Sequence, residues 1–96
     1  MTRVYISGPI SGLDDYAPAF DAAADRLARA GLEPVSPLDI GLRDGWDWWD
    51  YMRAAIELQR TCDEIYMLPG WRESRGATVE WLVAQALGQR ITGATA

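Results

Sequence analysis

Ninety-six residues, 49% of them hydrophobic and 24% charged, are ordinary for one globular domain spanning 1–96, with a single core and little room for a second site. The net charge of −5 argues against a nucleic-acid polymer as partner, because proteins that bind one usually show a basic face. Histidine is absent and Cys62 is the only cysteine, which excludes Ser-His-Asp and Cys-His catalysis, a zinc set of the usual kind and an internal disulfide.

Residues 4–7, Val-Tyr-Ile-Ser, read as a short buried strand halted by Gly8-Pro9. The spacing of Ala19, Phe20, Ala23, Leu27 and Ala30 predicts a helix over 16–30. Pro18 falls in its first turn, where a missing N–H costs little, and Gly31 stops it. A second strand over 32–36 ends at Pro37, and a loop over 37–47 runs into a helix over 46–61. The third strand, 64–68, gives way to a turn at Pro69-Gly70; a helix then begins near Ser74, and a short last strand covers 90–92.

This β-α-β-α-β-α-β order predicts an α/β fold, a doubly wound, flavodoxin- or Rossmann-like parallel sheet of four to five strands with helices on both faces. Ligands of such sheets bind beyond the carboxyl ends of the strands, where strand order reverses. The loops 8–15, 37–46 and 69–75 all leave those ends, and the first and third are expected to flank the reversal.

Glu80 is the one carboxylate in the body of the last helix. Gly76, Glu80, Val83 and Leu87 fall on one helical face, so the carboxylate shares a side with apolar residues. A buried, unpaired charge is costly, so Glu80 needs a partner or a raised pKa. It is a candidate nucleophile or general base; the plainer reading is a partly exposed glutamate bonded to a neighbouring arginine. Ser74 and Gly76 stand at the start of that helix, where free N–H groups and the positive dipole end suit an anion such as phosphate. Arg72 and Arg75 form a small basic cluster beside them.

Tyr5 lies inside the first strand, and its hydroxyl needs a partner if buried. Asp63 precedes the third strand by one residue, at the strand's amino end, unless it serves only to cap the preceding helix. The turn Ser7-Gly8-Pro9-Ile10-Ser11-Gly12 has two glycines that let a backbone approach a ligand closely, but it is neither a P-loop nor GxGxxG. Trp46, Trp48 and Trp49, set among Asp44, Asp47 and Asp50, suit a pocket rim or an interface better than a core, since three tryptophans in four residues cannot all point inward. Cys62 is expected in the core. No apolar run approaches the ~20 residues of a membrane span, and the N-terminus lacks the succession of a signal peptide. These features lead us to expect a cytoplasmic protein without membrane partners.

Three stretches together carry a family resemblance: Tyr5-Ile6-Ser7-Gly8-Pro9-Ile10-Ser11-Gly12, Cys62-Asp63-Glu64-Ile65-Tyr66, and Ser74-x-Gly76-x-x-x-Glu80. Over nearly its whole length the chain resembles the nucleoside 2-deoxyribosyltransferase-like superfamily, which includes 2′-deoxynucleoside 5′-monophosphate N-glycosidases. The resemblance implies that Glu80 is the nucleophile on the anomeric carbon and that Tyr5 orients it. Asp63 would contact the sugar or assist proton transfer. Ser74 and Gly76 would hold a 5′-phosphate, and Gly8 and Ile10 would line the sugar-phosphate. Ser11 stands in that same turn where the monophosphate hydrolases carry an arginine, a role open to Arg72 or Arg75. It further implies a small-molecule nucleoside or nucleotide as partner, no metal and no organic cofactor.

Family members usually have a fifth strand, or a tail that completes a neighbour's site, whereas this sequence stops at Ala96. The tryptophan loop is expected to supply the missing wall, and a small, acidic domain, aromatic-rich near one loop and with sheet edges to protect, leads us to expect a homodimer or higher homo-oligomer. Cleavage or transfer of an N-glycosidic bond is the leading expectation. Two rivals stand beside it: a nucleotide-binding or sensing module without turnover, and an interaction domain using its tryptophans.

Overall fold

The computed structural model describes residues 1–11 and 13–94, so Gly12 of the loop motif lies outside the described residues. Seven main elements follow in chain order: β1 (Arg3–Ser7), α1 (Ala17–Arg29), β2 (Glu33–Val35), α2 (Trp48–Gln59), β3 (Glu64–Met67), α3 (Arg75–Leu87) and β4 (Arg90–Gly93). Their bounds lie within a residue or two of the expected ones, as helix and strand ends usually do. The loop expected over 37–47 is only partly irregular. Its first residues, Pro37–Ile40, form a 3₁₀ turn opened by a capping box between Ser36 and Asp39.

All strand pairings are parallel and the sheet order is β2-β1-β3-β4. From β1 the chain steps outward to β2, then returns to place β3 on the other side of β1. The reversal therefore lies between β1 and β3, where the expected loops leave the sheet. Proline in β2 is tolerated because that strand is at the edge, where a missing N–H costs least.

Alternation along β1 divides the core into two layers. Val4 and Ile6 face α1, meeting Phe20, Ala23 and Leu27 with Leu68. Tyr5 faces the other way, toward α2 and α3, with Val35, Ala55, Ile65, Met67, Ala77 and Ala84. Cys62 joins this second layer, as expected. Each large apolar side chain so buried contributes roughly 1.5–3 kcal/mol.

The buried stripe of α3 is Ala77, Glu80 and Ala84. This corrects the expected face of Gly76, Glu80, Val83 and Leu87, since Leu87 is 54% exposed. The row through the two alanines allows a close approach of the helix to the sheet, and Tyr5 fills the space beneath. Among the described residues, no helix is long and apolar enough to cross a membrane.

Candidate active site

A cavity of about 990 Å³ opens at the carboxyl ends of the strands. Its walls come from the turn after β1, the segment after β2, the turn after β3 and the first turns of α2 and α3. Glu80, on the second turn of α3, lines it and is itself only 5% exposed. Tyr5 donates its hydroxyl to Glu80 Oε2 at 2.7 Å, and Ser7 donates Oγ–H to Oε1 at 2.7 Å. Both donors come from β1, two residues apart and therefore on the same face of the strand.

The electrostatics follow from those partners. Burial pushes the Glu80 carboxyl up to about 6, against the opposing pull of the Ser7 and Tyr5 hydrogen bonds. Burial also raises the Tyr5 phenol well above its ordinary value, reinforced by the charge of Glu80. Glu80 is thus a carboxylate near neutral pH, held by two neutral hydroxyls. Each of its oxygens still has a lone pair for a reacting atom.

Several candidates from the sequence share this cavity. Gly8, Ile10, Ser11, Ser74, Gly76 and Glu80 all line it. Three of them have structural duties as well. A Cβ on Gly8 would sit 2.8 Å from Leu68 Cβ and Cδ1, so glycine lets β1 leave the sheet past the end of β3. A Cβ on Gly76 would sit 3.2 Å from Met52 Sδ, so this glycine also lets α2 pack closely on α3. Ser74 caps α3, its Oγ accepting the Ala77 N–H at 3.2 Å.

Asp63 is not brought to the cavity. Its Oδ2 accepts the Arg3 backbone N–H at 3.0 Å, and its own backbone joins Arg3 and Arg90. It is level with Arg3 in the β1–β3 register, four residues before Ser7 and so roughly 13 Å away along the strand. Its place at the amino ends of the strands is the structural alternative to a role in catalysis.

Of the two arginines beside Ser74, Arg75 lines the cavity, with its guanidinium carbon 4.2 Å from the centre of the Trp48 ring. Arg72 lies over Trp71 at 5.1 Å. Trp46 and Trp48 line the wall while Trp49 is 55% exposed, so the rim reading holds for two of the three tryptophans. Asp47 spends its carboxylate on capping α2, and the Asp50 N–H it accepts is the main cause of its lowered pKa.

The sequence reading passes over Ser7 and the wall formed by Leu38, Ile40, Tyr51 and Met52. Ser7 has a signal in retrospect, because it alternates with Tyr5 on a short strand. Among the described residues no group of three or more Cys, Asp or Glu side chains converges to hold a metal ion.

A protein-family model described as Domain of unknown function (DUF4406) matches residues 2–93. The chain belongs to that family. No curated protein matches this DUF4406 chain by sequence. Among solved structures it is similar to a 2-deoxyribosyltransferase from the psychrotolerant bacterium Bacillus psychrosaccharolyticus, with a TM-score of 0.74 and 14% identity, over 99% of this chain and 77% of that one. A 2-deoxyribosyltransferase from Leishmania mexicana gives a TM-score of 0.72 at 20% identity, covering 95% and 62%. A conserved protein from Enterococcus faecalis V583 gives 0.70 at 22%, covering 95% and 61%. This DUF4406 chain therefore has the nucleoside 2-deoxyribosyltransferase-like fold, and it spans about six-tenths of the latter two proteins.

Proposed function

We propose that this protein binds a nucleoside or nucleoside 5′-monophosphate and breaks its N-glycosidic bond, with Glu80 as nucleophile. One observation carries the reading: a buried carboxylate on the cavity wall, fixed by Tyr5 and Ser7 and facing no cation in its hydrogen bonds. In the proposed step a Glu80 oxygen forms a bond to the anomeric carbon as the bond to the base nitrogen breaks. The departing electron pair goes to the base, which takes up a proton. Water or a second base then attacks the same carbon and releases the carboxylate.

Neutral donors suit this cycle. They hold the carboxylate in line without neutralising it, and positive charge developing on the sugar is stabilised by the nearby anion. The aromatic and aliphatic wall of Trp46, Trp48, Tyr51, Leu38 and Ile40 offers a face for a planar base. The likeness in fold to two 2-deoxyribosyltransferases supports this choice among carboxylate chemistries.

The test is incubation of the purified protein with a panel of nucleosides and 5′-monophosphates, followed by chromatography for free base. Release from at least one substrate, lost in Glu80→Ala, is expected. Saturable binding without release would replace the enzyme by a binding module, and neither binding nor release would remove the nucleoside reading.

A further inference from the structure

Gln59, the last residue of α2, is fully buried although no step of the proposed chemistry uses it. Its Nε2 donates to the backbone carbonyl of Glu80 at 2.8 Å and to Gln89 Oε1 at 3.0 Å. Gln89 in turn donates its Nε2 to the carbonyls of Gln59, at 2.9 Å, and of Cys62, at 3.0 Å. Partners decide both amide orientations, since flipping either amide would set oxygen against a carbonyl oxygen.

We propose that Gln59 is a positioning residue for Glu80, fixing the backbone of the nucleophile while Tyr5 and Ser7 fix its carboxylate. The inference rests on the nucleophilic role proposed for Glu80. Its motive is the composition of the buried stripe of α3. Glu80 lies between Ala77 and Ala84, whose single methyl groups give no large knob to set the rotation of the helix against the sheet. Trp81 packs against this layer and stacks on Trp71 with ring centroids 5.5 Å apart, a contact that is less directional than a hydrogen bond. A hydrogen bond from a buried amide is directional, so it supplies the restraint that alanine contacts lack.

The arrangement also carries a cost. Gln59 Oε1 is buried without a partner among the described residues. A methionine of similar volume would avoid that cost and would also lose the donor on Glu80. In its absence α3 can turn slightly, and a helix rotation of roughly 10° moves a carboxylate lying about 6 Å from the axis by about 1 Å. Bonds of 2.7 Å from Tyr5 and Ser7 do not survive such a shift intact. Those bonds favour the charged carboxylate, so loosening them raises its affinity for a proton.

The experiment compares wild type with Gln59→Met by two readouts. The first is carboxyl titration of carbon-labelled Glu80 by NMR, which does not require turnover. The second is base release, resolved into kcat and KM. The variant is expected to titrate at higher pH than wild type, and its kcat to fall about tenfold or more with KM within about twofold, as for a displaced reacting group. Phe20→Leu, in the opposite core layer, serves as the control for general loosening and is expected to leave the titration unmoved. If Gln59→Met does not fold, Gln89→Met carries the same test, with a smaller shift in the same direction.

An unmoved Glu80 titration in the folded variant, or an equal shift in the control, overturns the positioning role. Absence of base release from wild type would instead count against the glycosidic reading, while the titration would still decide whether Gln59 holds Glu80.

Discussion

At the amino end of the sheet, Glu33 meets Arg3, Glu64 lies 3.8 Å from Arg90 and Asp63 accepts a backbone N–H, whereas at the carboxyl end Glu80 meets two neutral hydroxyls. The first set is partly open to water, with Glu33 42% and Glu64 17% exposed, and ion pairs that water still reaches contribute only about 0–1 kcal/mol. The second is buried beside a cavity, where an anion without a cation keeps both its charge and an unusual appetite for protons. The contrast teaches that an acid near a strand end is defined by its partners rather than by its type. Asp63 and Glu80 are both carboxylates beside the same parallel sheet, and only one has its charge unspent.

The strongest way to break this contrast is to neutralise each acid in turn. Glu80→Ala is expected to lower base release by on the order of 10³-fold or more, whereas Asp63→Asn is expected to stay within about twofold of wild type. Equal losses measured by chromatography would erase the distinction between the two ends. Removal of one hydroxyl sharpens it. Tyr5→Phe is expected to reduce kcat by roughly 10–100-fold. The wild-type rate should rise with pH through about 6 as Glu80 ionises. In Tyr5→Phe that rise should move to higher pH, because a bond that favours the charged form is gone; Ser7→Ala should move it the same way.

How the residues reach their places was only partly legible in the chain. The β-α alternation made the fold legible, because it depends on local periodicity; the weight on Glu80 came from the Ser74-x-Gly76-x-x-x-Glu80 resemblance, while helical spacing by itself put Leu87 instead of Ala77 and Ala84 on its face. The strand assignment likewise placed Asp63 at the amino end. Ser7 escaped notice because a serine before Gly-Pro reads as turn chemistry until Glu80 is known to lie above it. Gln59 escaped for a similar reason, since a glutamine near a helix end is usually exposed and only tertiary contact buries this one. The cavity wall over Pro37–Ile40 depends on a short capping box, a feature shorter than any periodic pattern.

Stability gives a smaller and independent test. The Glu80 carboxyl binds its proton more tightly in the folded protein, near 6, than at the ordinary 4.5 of the unfolded chain. Its favourable contribution is therefore complete below about pH 4.5 and lost as pH rises through about 6. Glu80→Gln, which cannot ionise, should be more stable than wild type at pH 7 by about 2 kcal/mol relative to the same difference at pH 4, measured by denaturant titration. The smallest effect is expected at the other end, where Asp63→Ala should cost about 1 kcal/mol for one lost bond to the Arg3 N–H, with little change in activity.

The central claim is that Glu80 itself bonds to the sugar. Rapid acid quench of the protein during turnover, proteolysis and mass spectrometry of the peptides would address it directly. The expected result is a sugar-sized mass increase on the peptide containing Glu80, absent from Glu80→Ala. Turnover that persists in Glu80→Ala, or a sugar adduct mapped to a different carboxylate, would contradict the account.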